Sequence, residues 1–495
     1  MKILMSVLCI SILCLSGCES DKDEHVSGIE GTGSKVEVAV AYGTITGFGS
    51  IYVNGVHFST DTATVEIEGQ ATAEDELAVG MVVEIVGEID SDGRAGVANA
   101  VRTERVLFGT VDNMVDVAVG RKALSVLGQT VYVAEDAEFT GTGFEQLEPG
   151  VNLSISGYVA ENGYITATYL AQENAGTDTP RVVEGYVTAA DLNLGYFELL
   201  GLNINADGAQ LIAGSWEDVI VGSRVKVTGQ YDTLSQTLQA TQVVLRPQHL
   251  HEEGQRKALE GVVREFTSES VFLLRDTAVD LSAAVINNGS ASDIQSGARV
   301  VVIGQMQNRV LVAERIVVKS HNTNRFKGEV SAINRQAGTF QIQEAIFYVT
   351  SLTQFKDNSR LNERYFNVEY LHIGEDIEVF AVRVNNQWQV TRITRQDFDA
   401  QTPNLIRGAV TLIDDSSNFY LDDILVDASD LPEAMWNALI EHENSPLIID
   451  LEGFYTGDLA FKAVSIRINA KNNCDQHIFF HCDEEEPFNR RPLSR

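Results

Sequence analysis

An eight-residue segment that runs from one Gly to another recurs along the chain and constrains its fold more than any other feature. Its copies are Gly80–Gly87, Gly150–Gly157, Gly222–Gly229, Gly297–Gly304, Gly374–Ala381 and Pro446–Gly453. Two positions in every copy are apolar, as Val83 and Ile85 are in the first, and the residue between them is often polar. Because successive side chains of a strand point to opposite faces, this parity predicts a half-buried strand. Six copies in one frame predict a tandem repeat protein.

The residue that closes each copy is Gly, except at Ala381, and it shares the face of the two apolar positions. A Gly at such a place indicates a tight bend, a bulge or a close backbone approach. The last predicted strand of each repeat also has a pattern, a small residue followed three positions later by an aliphatic one. These pairs are Ala98/Val101, Ala167/Leu170, Ala240/Val243, Ala313/Ile316 and Ala463/Ile466, with Val390/Ile393 in the fifth copy.

The first repeat shows the order of elements that recurs. A strand begins near Gly43, and the Asn54-Gly55 pair between alternating apolar residues predicts a hairpin with a type I′ turn. A short helical segment with Leu77 as its apolar anchor precedes the Gly-to-Gly strand, and a last strand follows from Gly96. The predicted fold is therefore all-β: a tandem array of small five-stranded OB-like β-barrels, each with a short helix before strand four. Units of about sixty residues bury marginal cores, so we expect neighbouring barrels to pack together or to have slightly interlocked termini.

The domain boundaries follow from the repeats and from linkers where the periodicity lapses. The predicted divisions are a signal peptide and anchor Cys at 1–18, a flexible tether at 19–41, repeats at 42–105, 106–173, 182–247, 258–320, 326–397 and 406–470, and a tail at 471–495. The fifth and sixth repeats diverge from the others. The fifth has an insertion near 357–370, and the sixth has a longer helical segment at 431–441.

The N-terminus has the features of an export signal. Lys2 precedes an apolar run, Ile3 to Leu15, that is too short to span a bilayer as a mature helix. The run ends in Leu-Ser-Gly-Cys18, which resembles a bacterial lipobox, and that resemblance implies cleavage before Cys18 and lipidation of its side chain. The alternative is an ordinary signal peptide with an incidental Cys. Glu19 after the anchor favours the outer membrane over the inner one, so the expected location is the cell envelope, facing the periplasm or the cell surface.

The charge of the chain bears on its partners. It has 36 basic and 70 acidic residues, a net charge of −34. A surface this acidic repels phosphate backbones, and the sequence shows no basic stretch with interleaved aromatic residues. We therefore predict a membrane partner through the lipid on Cys18, an envelope protein or glycan as a further partner, and no nucleic acid.

The first repeat also carries a family resemblance. Its string GTITGFGSIYVNGVHF, followed by DELAVGMVVEIVGEI and GRAGVANAV, resembles a bacterial repeat family known as domain of unknown function 5666. The resemblance is good in repeats one to four, partial in five and six, and spans residues 42–470. It implies OB-like barrels in tandem within an exported protein or lipoprotein. The family supplies no activity and no catalytic residues.

Metal-capable residues occur at two places. In the tail, Cys474 and Cys482 enclose His477 and His481, and we predict a disulfide between the two cysteines in an oxidising compartment. The alternative is a zinc site of two Cys and two His, which the adjacency of His481 and Cys482 disfavours. A second pair of metal candidates, His249 and His251, lies in a linker, where the alternative is a solvated segment.

No nucleophile elbow, zinc-protease motif, phosphate-binding Gly loop or paired Cys-x-x-Cys occurs in the sequence. We therefore predict no catalytic residues, no cofactor and no enzymatic activity. The leading interpretation is a non-catalytic binding or scaffold module for an envelope protein or glycan. The alternative is a metal- or small-ligand-binding envelope protein, and the third interpretation is an enzyme of unknown type.

Overall fold

β-Strands dominate the computed structural model, which confirms the all-β class. The residues described are 39–160, 162–176, 178–192, 195–246, 253–320, 323–397, 403–413, 417–421, 424–441, 447–457 and 460–468. Within these ranges, no helix is long and apolar enough to cross a membrane.

Barrel 1 shows how each repeat closes on itself. Its strands are Ala39–Phe48, Ile51–Val53, Val56–Ser59, Thr64–Ile67, Gln70–Thr72, Val82–Ile89 and Ala95–Thr103. The first strand pairs antiparallel with the hairpin strand Ile51–Val53 on one edge and with the Gly-to-Gly strand on the other. The last strand pairs antiparallel with the Gly-to-Gly strand and parallel with the second hairpin strand, Val56–Ser59. This ring is a small closed barrel with the strand order of an OB fold.

The same plan recurs in five further barrels of the described chain. Barrel 2 has strands Leu107–Ala118, Arg121–Val126, Gln129–Ala134, Glu138–Thr140, Asn152–Val159 and Ile165–Gln172. Barrel 3 has a divided first strand, and its strands are Arg181–Tyr186, Ala189–Asp191, Tyr196–Leu199, Leu202–Asn205, Gln210–Ile212, Arg224–Asp232 and Thr237–Leu245.

Barrels 4 to 6 complete the described part of the chain. Barrel 4 has strands Arg256–Phe266, Val271–Leu274, Thr277–Asp280, Val285–Asn287, Arg299–Gln307 and Val310–Lys319. Barrel 5 has strands Asn324–Asn334, Thr339–Ile342, Ala345–Tyr348, Gln354–Asp357, Asp376–Val384 and Gln387–Arg395. Barrel 6 has strands Asn404–Ile413, Asn418–Leu421, Ile424–Asp427, Ile448–Gly457 and Ala460–Ile468.

The segment before each Gly-to-Gly strand is shorter than a helix in most barrels. In barrels 1 to 5 it is a single 3-10 turn, at Glu74–Glu76, Phe144–Gln146, Trp216–Asp218, Ala291–Asp293 and Val368–Tyr370. Barrel 6 has an α-helix, Glu433–Glu441, at this place. In barrel 1 the residues on either side of the turn are extended, which limits it to one turn. The residue after it, Leu77, is then inserted into the barrel core, where it is 1% exposed.

The residue that closes each Gly-to-Gly segment marks a β-bulge. The pairing register shifts at this residue in every barrel. The opposing pairs are Gly87 and Ala98, Gly157 and Ala167, Gly229 and Ala240, Gly304 and Ala313, Ala381 and Val390, and Gly453 and Ala463. A Cβ added to Gly304 would overlap the carbonyl oxygen of Val312 and lie 2.9 Å from the Cα of Ala313. The predicted bulge and close approach are therefore both present, and they link the two sequence patterns.

The barrels join in pairs through their first strands. Barrels 2 and 3 pair antiparallel, with Val183 opposite Leu107, and barrels 5 and 6 pair in the same way, with Phe326 opposite Ile406. Barrel 1 pairs instead with barrel 4, in parallel, with Ala41 opposite Ala258. Barrel 1 also contacts its sequence neighbour, barrel 2, where the Val82 backbone nitrogen donates to the Ser156 hydroxyl at 2.9 Å, but its strand edge is covered by a repeat three places further along.

A buried carboxylate joins two of these pairs. Glu138 of barrel 2 is 1% exposed and lies between two cations of barrel 5. Arg392 places one guanidinium nitrogen 3.0 Å from Glu138 and donates another to the carbonyl oxygen of Ala137 at 2.7 Å. Lys356 forms the second ion pair with Glu138. Buried charges remain stable when each is paired and hydrogen-bonded, so this cluster fixes the contact between barrels 2 and 5.

Candidate functional site: a cleft between barrels 4 and 5

A cleft of about 900 Å³ opens between barrels 4 and 5. Barrel 4 contributes residues 286–290 and the end of its last strand, 315–320. Barrel 5 contributes residues 350–352, the hairpin at 382–385 and Gln389. Ligand sites commonly enclose about 300–1,000 Å³, so the cleft has room for a molecule larger than a single metabolite ring.

Strand pairing fixes the barrel 4 wall. The short strand Val285–Asn287 lies parallel to the last strand, with Val285 opposite Arg315 and Asn287 opposite Val317. The other edge of the last strand is hydrogen-bonded to Arg299–Gln307. Both edges of residues 315–317 are therefore occupied, whereas Val318 and Lys319 are paired on one edge.

A tight hairpin fixes the barrel 5 wall. Asn385 and Asn386 turn the chain with φ values of 50° and 66°, a left-handed conformation that Asn tolerates. Arg383 donates a hydrogen bond to the side-chain oxygen of Asn386 at 2.8 Å. Its guanidinium carbon lies 4.9 Å from the centroid of the Trp388 ring. These contacts hold Arg383 at the edge of the cleft.

Barrel 1 closes one end of the cleft with the turn predicted from Asn54-Gly55. Both residues have positive φ, as a type I′ turn requires. The Asn54 amide nitrogen donates to the carbonyl oxygens of Tyr42 at 2.9 Å and Ala258 at 2.8 Å, which ties barrel 1 to barrel 4. A Cβ on Gly55 would lie 2.7 Å from the hydroxyl oxygen of Ser351. The turn thus fits closely against barrel 5.

The lining of the cleft is polar. Its amide and hydroxyl groups belong to Asn54, Asn287, Asn288, Ser290, Ser320, Thr350, Ser351, Asn385 and Gln389. Among the described residues that line it, none is aromatic. Groups of this kind exchange hydrogen bonds with hydroxyl-rich or charged ligands rather than with apolar ones.

Three cations line the same cleft: Arg315, Lys319 and Arg383. Burial lowers the pKa of the Lys319 ammonium; the nearby Glu260 opposes this shift and Arg299 adds to it. Burial also lowers the pKa of Arg315, and the positive charges of Arg94 and Arg256 lower it further. The cleft is therefore locally cationic within an acidic chain.

A smaller cavity of about 90 Å³ adjoins the cleft and extends towards barrel 2. It shares Lys319, Ser320 and Gln389 with the cleft and is also lined by Tyr132 and Asp136. The Lys319 ammonium thus belongs to the place where the two cavities meet. A ligand in either cavity would therefore lie next to this side chain.

The structure does not describe the site residues that were predicted from the sequence. The anchor Cys18, the cysteines Cys474 and Cys482, and the metal candidates His249, His251, His477 and His481 all lie outside the described residues. Inside the described ranges, no three His, Cys, Asp or Glu side chains are grouped to hold a metal ion.

Sequence reasoning missed the cleft because its residues come from three barrels. The asparagines at 287–288 and 385–386 are visible in the sequence as pairs of amide residues between strands. They are turn signals of a kind that also occurs in other repeats, as at Asn308. Nothing in the sequence indicates that Asn287, Asn288 and Asn385 line one cavity.

Comparisons with known proteins identify the repeats. The profile of a family described as "Domain of unknown function (DUF5666)" matches residues 42–101, 109–171, 260–317 and 327–394. The matches include the fifth repeat, where a partial resemblance was expected, and do not include the third.

No curated protein matches the chain. One solved structure with some similarity is titled "drosophila Unr CSD456"; it is 14% identical, and the match covers 44% of this chain and 98% of that one. Its TM-score of 0.12 is too low to support any argument. The four family matches together take in just over half of the 495 residues, and the chain belongs to the DUF5666 family.

Proposed function

We propose that this chain is a non-catalytic binding protein of the cell envelope that holds a glycan in the cleft between barrels 4 and 5. The observation that carries the proposal is the polar lining of a cleft of about 900 Å³. A glycan presents many hydroxyl groups, and each must exchange its bond to water for one to the protein. The amides and hydroxyls of the lining supply such partners on both walls.

The rigidity of the walls supports the same proposal. The barrel 4 wall is a strand whose residues 315–317 are paired on both edges, and the barrel 5 wall is a tight hairpin. Asn54 fastens the end of the cleft to barrel 4 through two hydrogen bonds. A site formed before the ligand arrives loses less conformational entropy on binding, and affinity benefits accordingly.

Filling the cleft is expected to abolish glycan binding. Gln389→Trp places a large ring in the cleft from the last strand of barrel 5, and affinity should fall at least about tenfold because ligand volume is lost. The matched control is Gln239→Trp, at the equivalent strand position of barrel 3, where the side chain is exposed and outside the cleft.

The measurement uses the full-length protein in detergent, first on a glycan array and then by titration calorimetry with the glycans that bind. Glycan binding that persists in Gln389→Trp at the wild-type affinity would contradict the proposed site. Failure of the wild-type protein to bind any glycan on an array of neutral and acidic structures would contradict the proposed function.

We also propose that the protein is anchored in the envelope, at the outer membrane, through lipid on Cys18. The support is the Leu-Ser-Gly-Cys18 sequence after the apolar N-terminal run. Cells fed radiolabelled palmitate should incorporate label into the wild-type protein and into a Cys474→Ser control, but not into Cys18→Ser. Equal labelling of the Cys18→Ser variant would reject the anchor.

A further inference from the structure

Positive charge gathers around the cleft of a chain whose net charge is −34. Arg315, Lys319 and Arg383 line it, and Asp293 is the carboxylate among its described lining residues. One oxygen of Asp293 accepts hydrogen bonds from both the backbone nitrogen and the hydroxyl of Ser290, each at 2.7 Å. That carboxylate caps the 3-10 turn Ala291–Asp293, so it is engaged locally.

Lys319 forms no ion pair with any residue that the structure describes. Two carboxylates oppose the lowering of its pKa: Glu260, which is already bound by Arg299 at 2.7 Å and by the backbone nitrogen of Thr44 at 3.1 Å, and Asp136, which lines the smaller cavity. Lys319 forms an ion pair with neither, and a half-buried ammonium in this state is unfavourable because burial removes water that would otherwise solvate the charge. A ligand anion at the junction of the two cavities would relieve this cost.

Arg315 lies in a cluster of like charges. Arg94 and Arg256 are close enough to lower its pKa, and Glu314 is the carboxylate that opposes them. Glu314 itself forms an ion pair with Arg256. Among the described residues, no carboxylate pairs with Arg315. Clustered guanidinium groups with too few acidic partners are the arrangement that binds carboxylate, sulfate or phosphate oxygens.

The spacing of the two cations indicates the size of the ligand. Arg315 and Lys319 are four positions apart on the regular end of the last strand of barrel 4, so their side chains share one face. At about 3.3 Å per residue, their Cα atoms are roughly 13 Å apart. An oligosaccharide with several acid groups has the length to place one group on each cation.

We propose that the glycan bound in this cleft is an acidic oligosaccharide, with one acid group on Lys319 where the two cavities meet and another on Arg315. This inference rests on the proposed function and specifies its ligand class. At physiological salt the Debye length is about 8 Å, so the overall negative charge of the protein is screened and the local cations dominate at contact.

The structure favours a glycan over an acidic peptide. A peptide gains most of its affinity for a sheet by adding a strand to a free edge. In the strand Val310–Lys319, residues 315–317 are already paired on both edges, by Arg299–Gln307 and Val285–Asn287, and the two residues after them have one edge unpaired, which is too short for an added strand. The lining also offers amides and hydroxyls for sugar hydroxyls, and no aromatic pocket for a peptide side chain.

Titration calorimetry on the full-length protein in detergent tests the inference with three probes: tetragalacturonate, its fully methyl-esterified neutral form, and tetraglutamate. The acidic tetrasaccharide should bind more tightly than the ester. Lys319→Met should weaken binding of the acidic probe about tenfold to a hundredfold, as the loss of a charged hydrogen bond implies, and should leave binding of the ester unchanged.

Arg315→Gln should have a similar effect and serves if Lys319→Met does not fold, which its thermal melt would reveal. The control Arg309→Gln removes an exposed cation from the barrel 4 hairpin, outside the cleft, and should retain the wild-type affinity. Equal affinity for acid and ester, unchanged by Lys319→Met, would overturn the acid-group inference and leave glycan binding intact.

Two other outcomes distinguish failure of the acid-group inference from failure of glycan binding itself. Binding of neither saccharide would overturn the inference, and the array result on the wild-type protein would then decide the fate of the proposed function. Tighter binding of tetraglutamate than of tetragalacturonate would overturn the glycan assignment in favour of an acidic peptide.

Discussion

Glu138→Leu is expected to lower the free energy of unfolding by about 3–5 kcal/mol, because it removes the carboxylate that neutralises two cations at a buried barrel interface. Arg392 cannot turn away to reach water, since its guanidinium also donates to the carbonyl oxygens of Asp136 at 3.1 Å and Ala137 at 2.7 Å. The side chain of Arg392 is 9% exposed and that of Glu138 is 1% exposed. Leu fills a similar volume but supplies no charge.

Urea titration of the full-length protein, followed by tryptophan fluorescence, measures this loss. Trp388 is 8% exposed and lies on the same strand as Arg392, so its emission reports on barrel 5. The matched control is Glu145→Leu. Glu145 pairs with Arg467 across another contact between barrels, but both side chains are 55% exposed, so removal should change stability by about 1 kcal/mol or less. Equal losses in the two variants would contradict the importance of burial.

Gly304→Val is expected to cost about 3 kcal/mol or more, because the new side chain meets backbone atoms that no rotamer change can move. The Cβ of the variant would overlap the carbonyl oxygen of Val312 and crowd the Cα of Ala313 at the bulge. The strand pair must separate locally to admit it. That separation would break hydrogen bonds between the Gly-to-Gly strand and the last strand of barrel 4.

Hydrogen–deuterium exchange over Val310–Lys319 checks this prediction, since local opening of the strand pair should speed exchange there. The control is Ala381→Gly, at the equivalent bulge of barrel 5, where a Cβ is already accommodated opposite Val390. It should cost about 0.5–1 kcal/mol, the usual penalty of Gly in a strand. Unchanged protection in Gly304→Val would show that the bulge tolerates a branched side chain.

The repeated local features of the fold were predictable from the sequence. Val83 and Ile85 are two positions apart, as residues on the buried face of a strand are, and both are fully buried. Leu77 was predicted as the apolar anchor of the segment before the Gly-to-Gly strand, and it enters the core. These signals are readable because each depends on residues that are close together in the chain.

Features that depend on distant residues were not predictable. The first strands of all the repeats have similar patterns, so nothing in the residues around Ala41 identifies Ala258 as their neighbour. The sequence predicted a short helix before the Gly-to-Gly strand, but in barrel 1 the chain is already extended at the anchor Leu77, which leaves a single 3-10 turn. The candidate site depends on Asn54, Lys319 and Arg383 meeting across three barrels.

The pairing of barrel 1 with barrel 4 has a consequence for synthesis of the chain. Asn54 donates to Ala258, 204 residues further on, so barrel 1 emerges long before its partner exists. Until then the strand edge at Ala41 and Tyr42 is open, and open edges promote association between nascent chains. Barrels 2 and 3 can complete their own pairing meanwhile. A chain truncated between barrels 3 and 4 therefore keeps the partners that barrels 2 and 3 need but leaves the first-strand edge of barrel 1 unpaired.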